Sequence, residues 1–229
     1  FHEDSLHRNL NGNFQRPKFI TNLLLSKGRR NDIRIVKQFS KNSNSIISGN
    51  SSYTSQRIEE VYGIKCDFIH PCVDREEYTD NTDQTTNPYI EGKELEYVVT
   101  IGTANWAKGS MEAISMLSGT NISLVHVGGG SDVEIKILQE HASNKKVKLW
   151  VAPRLSSQEL SSLMKDSLAI ISMAHKEPFG LTPIEAFSIG TPAIFVNDGG
   201  FRDSIIDGEC GRLLPRYDYT KWHEALNEC

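Results

Sequence analysis

The stretch Glu177-Pro178-Phe179-Gly180-Leu181-Thr182-Pro183-Ile184-Glu185 decides how the chain folds. Before it, Leu168–Met173 is an apolar run of strand length, interrupted only by Ser172. After it, Ile184–Ile189 reads as a helix that Gly190 stops and Pro192 cannot continue. The stretch is therefore the turn at the carboxyl end of a buried strand, leading into a helix. In open parallel α/β sheets, ligands bind at such turns. The unpaired N–H groups and positive dipole end of a helix start suit a phosphate. Glu177 and Glu185 flank that anion site, one acid for each end of a ligand. Thr182-x-x-Glu185 also satisfies the capping-box rule, in which Glu185 only bonds a backbone N–H. The residues alone leave both readings of Glu185 open.

Outward from this turn, strands and helices alternate. Tyr97–Gly102, Ile122–Val127, Val147–Val151, Leu168–Met173 and Pro192–Val196 read as strands. Lys108–Leu117, Val133–His141 and Ser156–Lys165 read as helices, the last opened by the capping order Ser156-x-x-Glu159. A short helix at Phe201–Ile206 and an amphipathic helix within Tyr217–Cys229 follow. Such alternation predicts a parallel sheet covered on both faces, with its strand-end turns on one rim. Gly102–Gly109, Gly128-Gly129-Gly130, Val151–Arg154 and Asn197–Gly200 all fall on that rim. Lys108, at a helix start beside a strand end, is suited to neutralise a diphosphate. Arg154 is suited to stack on a base or to reach phosphates. His126 sits inside an apolar strand and reads as a core histidine, whereas His175 shares the turn with Glu177 and is placed to line a sugar pocket.

The 229 residues allow one large domain or two small ones. A net charge of −4 argues against a nucleic-acid binder. No run of eighteen apolar residues is present, so no spanning helix is expected. Cys66, Cys72, Cys210 and Cys229 form no C-x-x-C and are expected as thiols in a reducing compartment. No His, Cys or carboxylate cluster has ligand spacing, so neither a metal nor a cofactor is expected.

Phe1–Lys41 differs in kind, with nine Lys and Arg against Glu3, Asp4 and Asp32. It is either a solvated helical face or a surface meeting an anionic partner, such as a lipid headgroup or a phosphorylated acceptor. Ser45–Ser48 and Lys65–His70 then read as short strands around a helix from Ser52 to Tyr62 that Gly63 stops. Arg75–Gly92 is polar and reads as a linker or surface loop.

The run from Glu177 to Leu214, EPFGLTPIEAFSIGTPAIFVNDGGFRDSIIDGECGRLL, resembles the E-x7-E region of retaining nucleotide-sugar glycosyltransferases of family 4 (glycosyl transferases group 1). Asn50-Ser51-Ser52-Tyr53-Thr54 and Pro71-Cys72-Val73-Asp74 are similar to that family's "N-S-x-x-T" turn and "P-x-V-D" exit. The resemblance implies an α/β fold of GT-B type. Residues 1–74 would be the last part of the acceptor-side domain, and 75–229 a Rossmann-like donor-binding domain. It implies transfer of a sugar from a nucleoside diphosphate sugar to a hydroxyl acceptor, a saccharide or lipid-linked saccharide, with retained configuration. Glu177 would stand by the donor sugar and Glu185 on the ribose. Lys108 and the turn residues Phe179, Gly180, Leu181 and Thr182 would hold the diphosphate, and the loop of Arg154 would face the nucleobase.

His2 falls where the family carries a strand-end histidine near the reacting sugar, which completes a catalytic set with Glu177 and Lys108. Thr103 occupies a donor-site position where the family usually has arginine, and Asp203 one where glutamate is usual in a segment bordering the donor sugar. A start at Phe1 and a last helix that stops at Cys229 suggest a fragment; the expected location is cytoplasmic, with the basic segment as the point of peripheral membrane contact. The alternative is a catalytically impaired module of the same fold that binds a nucleotide sugar. Thr103 and the first-domain units not in the sequence favour it.

Overall fold

The computed structural model describes residues 7–74, 86–89 and 96–229. His2 lies outside them. Six strands form one sheet: β1 (Tyr97–Ile101), β2 (Ser123–Val127), β3 (Leu149–Val151), β4 (Ala169–Ser172), β5 (Ala193–Val196) and β6 (Arg212–Leu214). Their spatial order is β3-β2-β1-β4-β5-β6, and every neighbouring pair is parallel. β2, β4 and β5 are buried along their whole length. Their sequences are continuous apolar runs, relieved by single polar residues, because helices cover both faces of such a sheet.

The helices are α1 (Lys18–Phe39), α2 (Ser52–Tyr62), α3 (Ser110–Leu117), α4 (Asp132–Lys145), α5 (Ser157–Lys165), α6 (Thr182–Ser188), α7 (Phe201–Ser204) and α8 (Tyr219–Asn227). α3 packs against α4 and α8, and α6 against β4 and β5. Ser156 and Glu159 form the expected capping box at α5, and Ser131 with Glu134 forms another at α4. Each box satisfies two backbone donors that the helix start would otherwise leave open. Trp222, on α8, is completely buried and donates its indole N–H to the Pro215 carbonyl at 3.0 Å. The Tyr97 hydroxyl donates to the Leu163 carbonyl and accepts from Asn87, which ties residues 86–89 to the core. Burial pushes the Tyr97 hydroxyl well above the usual tyrosine pKa, so it stays a donor at every working pH.

Two expectations are corrected in the N-terminal part. Ser45–Ser48 and Lys65–His70 are not strands; the two segments meet only at a Gly49–Phe68 bridge. Ile46 and Ile69 are strongly exposed there, at 94% and 71%. Among the described residues no further strand joins them, and an isolated pair gains too little burial to extend. A third difference is β6, which was not expected from Arg212-Leu213-Leu214 because three residues carry no periodicity.

Candidate functional site

The strand order reverses between β1 and β4, since the chain builds outward from β1 to β3 and then from β4 to β6. In doubly wound sheets the loops after two such strands diverge, and a crevice opens between them at their carboxyl ends. The loop after β1 carries Gly102 to Gly109, and the loop after β4 carries Met173 to Leu181. The two loops touch closely. The His175 N–H donates to the Ala107 carbonyl at 2.7 Å. Gly109 has φ +69, and a Cβ there would lie 2.0 Å from the Met173 carbonyl oxygen. Only glycine fits both the left-handed conformation and this approach.

Lys108 ends a short 3₁₀ turn, Trp106–Lys108, whose N-cap Asn105 accepts from the Lys108 N–H. Its ammonium is 2.9 Å from Glu177 Oε2, and both side chains are partly exposed, at 35% and 21%. The cation after β1 and the acid after β4 thus face each other across the crevice. Gly180, at φ +84, lies on the same side: a Cβ there would come within 3.6 Å of Glu177 Cγ and strike the Phe201 ring. The first bond of α6 runs from the Glu185 N–H to the Leu181 carbonyl at 3.0 Å. The amides of Gly180, Leu181 and Thr182 precede it and stay outside the helix's own bonding. Leu181 is exposed, and Gly180 and Thr182 are partly so.

A shell of polar contacts holds the two loops. His175 Nε2 is 2.9 Å from Glu112 Oε1 on α3, and the Trp106 ring stacks on the imidazole at 4.1 Å between centroids. Arg216 donates to the Met173 and Ala174 carbonyls and to Asp198, whose carboxylate also accepts from the Lys176 N–H. The Gly200 N–H donates to the Glu177 carbonyl at 2.7 Å. This last bond occupies one amide of the segment expected to border a sugar.

The N-terminal segment docks onto the same turn. The Ser51 hydroxyl, at the start of α2, donates to the Pro178 carbonyl, and the Thr54 hydroxyl oxygen lies 3.0 Å from the same carbonyl. The Asp203 carboxylate accepts from the Ser52 N–H and hydroxyl, and lies 3.0 Å from His70 Nε2. Burial alone would raise the Asp203 pKa. The Ser52 hydrogen bonds and His70 outweigh it and hold the carboxyl below its ordinary value. The His70 ring stacks between Phe68 and Phe179.

The remaining site candidates are placed as follows. Thr182 is the first residue of α6, Leu181 is the N-cap, and no side chain caps the helix, so the capping-box reading of Glu185 is corrected. Phe179 is 3% exposed and spent on its contact with His70. Thr103 is exposed beside Gly102. Arg154 is exposed beyond β3, at the sheet edge, two strands from β4's neighbour β1. His126 is buried, its Nε2 on the Gly129 carbonyl, and burial lowers its pKa. Glu112, Arg216 and the Asp203–Ser52 contact had no signal in the sequence, because each depends on residues far apart in the chain. Among the described residues, no group of three or more His, Cys, Asp or Glu could hold a metal ion.

The family model described as "Glycosyl transferases group 1" matches residues 82–229, and the chain belongs to that family. Glycogen synthase from Mycobacterium tuberculosis is 30% identical over 118 residues, which cover 48% of this chain and 28% of the relative. Sucrose-phosphate synthase from Thermosynechococcus elongatus superimposes with a TM-score of 0.70 at 18% identity, over 87% of this chain and 52% of that one. HepE from Anabaena, solved in complex with UDP-glucose, gives 0.70 at 16% identity over 87% and 57%. The fold is thus of GT-B type, with a Rossmann-like sheet. The chain spans only part of the length of these relatives.

Proposed function

We propose that this member of the glycosyl transferases group 1 family moves a sugar from a nucleoside diphosphate sugar to a hydroxyl acceptor with retained configuration. On this reading residues 75–229 bind the donor and residues 1–74 end the acceptor-side domain. The observation that carries it is the pairing of Lys108 with Glu177 across the crevice between β1 and β4. Breaking the bond to the anomeric carbon puts charge on the departing diphosphate. A cation and unspent amides fixed beside that oxygen stabilise the transition state more than the ground state. Lys108 supplies the cation, and the amides of Gly180 to Thr182 complete the nest. Glu177 holds sugar hydroxyls and keeps Lys108 in place before the donor arrives, and Glu185 takes the ribose. No cofactor enters this scheme. Contact of the basic α1 with an anionic membrane surface, and a cytoplasmic location, belong to the same reading. Among the described residues no helix is long and apolar enough to cross a membrane.

A nucleotide-sugar-binding module without turnover is the second reading. It is favoured by Thr103, which is neutral and exposed beside the phosphate position and leaves Lys108 as the cation there. Screening UDP-, GDP- and ADP-sugars for thermal stabilisation identifies the donor, since a ligand of the folded form must raise Tm. Sustained nucleotide release that requires an acceptor, assayed on the complete protein, supports the enzyme. Stabilisation without release supports the module.

A further inference from the structure

A pocket lies between the Glu177 turn and the start of α2. Its volume is about 280 Å³, and its lining includes Ser48, Asn50, Tyr53, Arg57 and Lys176. It is small for a drug-sized ligand and suits one sugar or one charged group.

Its hydrogen-bonding inventory is one-sided. Asn50 Oδ1 accepts from the Thr54 hydroxyl, which turns the donating amide nitrogen away from that bond. The Pro178 carbonyl, the pocket's backbone acceptor, already receives the Ser51 hydroxyl. What the pocket offers a ligand is donors: the Lys176 ammonium, the Arg57 guanidinium, the Tyr53 and Ser48 hydroxyls and the Asn50 amide. Among the described residues no carboxylate pairs with the Lys176 ammonium. Glu60 pairs with one guanidinium nitrogen of Arg57, but both side chains are nearly half exposed. Such a surface pair is weak and leaves the other guanidinium donors available.

Lys176 is also held in an unusual backbone state, with φ +52. A left-handed non-glycine residue is strained, and glycine would relieve it. Asp198 clamps the Lys176 N–H, and Arg216 clamps Asp198. The fold therefore keeps a lysine where glycine would be less strained, and that lysine lines the pocket.

We propose that this pocket binds a phosphate group carried by the acceptor saccharide. The anion site stands on the pocket's own donors; that its ligand is the acceptor rests on the glycosyltransferase reading. The donor diphosphate is assigned to Lys108, on the other loop of the crevice, so the two anions occupy separate places.

The test is a titration of the protein with inorganic phosphate and with glucose 6-phosphate, followed by amide NMR shifts, alone and with a saturating nucleoside diphosphate. Saturable shifts at residues 50–57 and 176 are expected, unchanged by the nucleotide, with the sugar phosphate tighter than free phosphate. Arg57→Ala and Lys176→Ala each weaken binding by about tenfold, whereas Lys108→Ala changes it less than about twofold. Lys176→Gly raises Tm yet loses binding, which a purely structural lysine would not do. Shifts that never saturate, competition with the nucleotide, equal loss in Lys108→Ala, or tighter binding of free phosphate would overturn the proposal. Failure of nucleotide to bind while phosphate still does would instead count against the donor-site reading alone.

Discussion

The sheet-bearing region and the N-terminal segment are held in place by different physics. In the sheet, β1, β2, β4, β5 and α3 bury their apolar side chains almost completely. In the N-terminal segment, α1 runs for 22 residues and buries only Thr21, while Phe19, Leu23, Leu24 and Phe39 are exposed by more than half. Beyond Leu10, which is buried with the core, and Arg8 over the Trp106 ring, that segment is joined to the rest by polar contacts: Ser51 and Thr54 on Pro178, Ser52 and His70 on Asp203, with a ring stack on Phe179. Area removed from water fixes the first region, whereas a single buried leucine, ring contacts and a handful of oriented hydrogen bonds place the second. Those bonds converge on the turn that carries Glu177, so the weaker attachment is the one that touches the site.

Mutations separate the two regimes. Trp222→Ala removes a fully buried ring and a satisfied indole N–H from the sheet region. It should cost about 3–5 kcal/mol in denaturant unfolding; a loss under about 1 kcal/mol would show that α8 contributes little to that core. Asp203→Ala should cost about 1–3 kcal/mol, by stranding the Ser52 donors and freeing the start of α2. Hydrogen exchange at residues 51–55 should rise while β4 stays protected. Equal deprotection of both would merge the two regions into one cooperative unit.

The same contact sets a pH dependence. The folded Asp203 pKa lies below the unfolded value, so its stabilisation is present above the ordinary carboxylate pKa of 3.8 and is lost as pH falls through the depressed folded value. Exchange protection of α2 should hold from neutral pH down to about 4 and vanish below it. In Asp203→Asn that acid step should disappear. Glu112→Gln should loosen His175 and cost about 1 kcal/mol, with a matching loss of order in the Lys108 loop. The smallest effect is expected for Leu23→Ala on α1, within about 0.5 kcal/mol of the parent. A larger loss would mean that α1 packs on something the exposed face does not show.

The sequence disclosed the two regions unequally, for the same reason. Strand and helix alternation was readable from Tyr97 onward because burial on two faces imposes continuous apolar runs, and most of those elements lie within a few residues of their expected ends. The helix Ser52–Tyr62 was readable from its Ser51 cap and Gly63 stop, which are local. The flanking strands failed because a strand needs partners, and apolar isoleucines alone do not provide them. At the site, Lys108 and Glu177 were both expected on one rim of the sheet, and their side chains meet there. The strand order that explains why they meet is a property of the whole sheet. The Glu112–His175, Asp198–Arg216 and Asp203–Ser52 contacts span 63, 18 and 151 residues of chain, so no local pattern encodes them.

The central claim is that Lys108 and the opening of α6 hold a nucleoside diphosphate. Calorimetric titration of the chain with UDP, GDP and ADP tests it directly, repeated on Lys108→Ala and Glu185→Ala. The account predicts that one of these nucleotides binds and that each substitution weakens it by about tenfold or more, as loss of a charged hydrogen-bond partner does. Binding of that nucleotide with the parent affinity in both variants would contradict it.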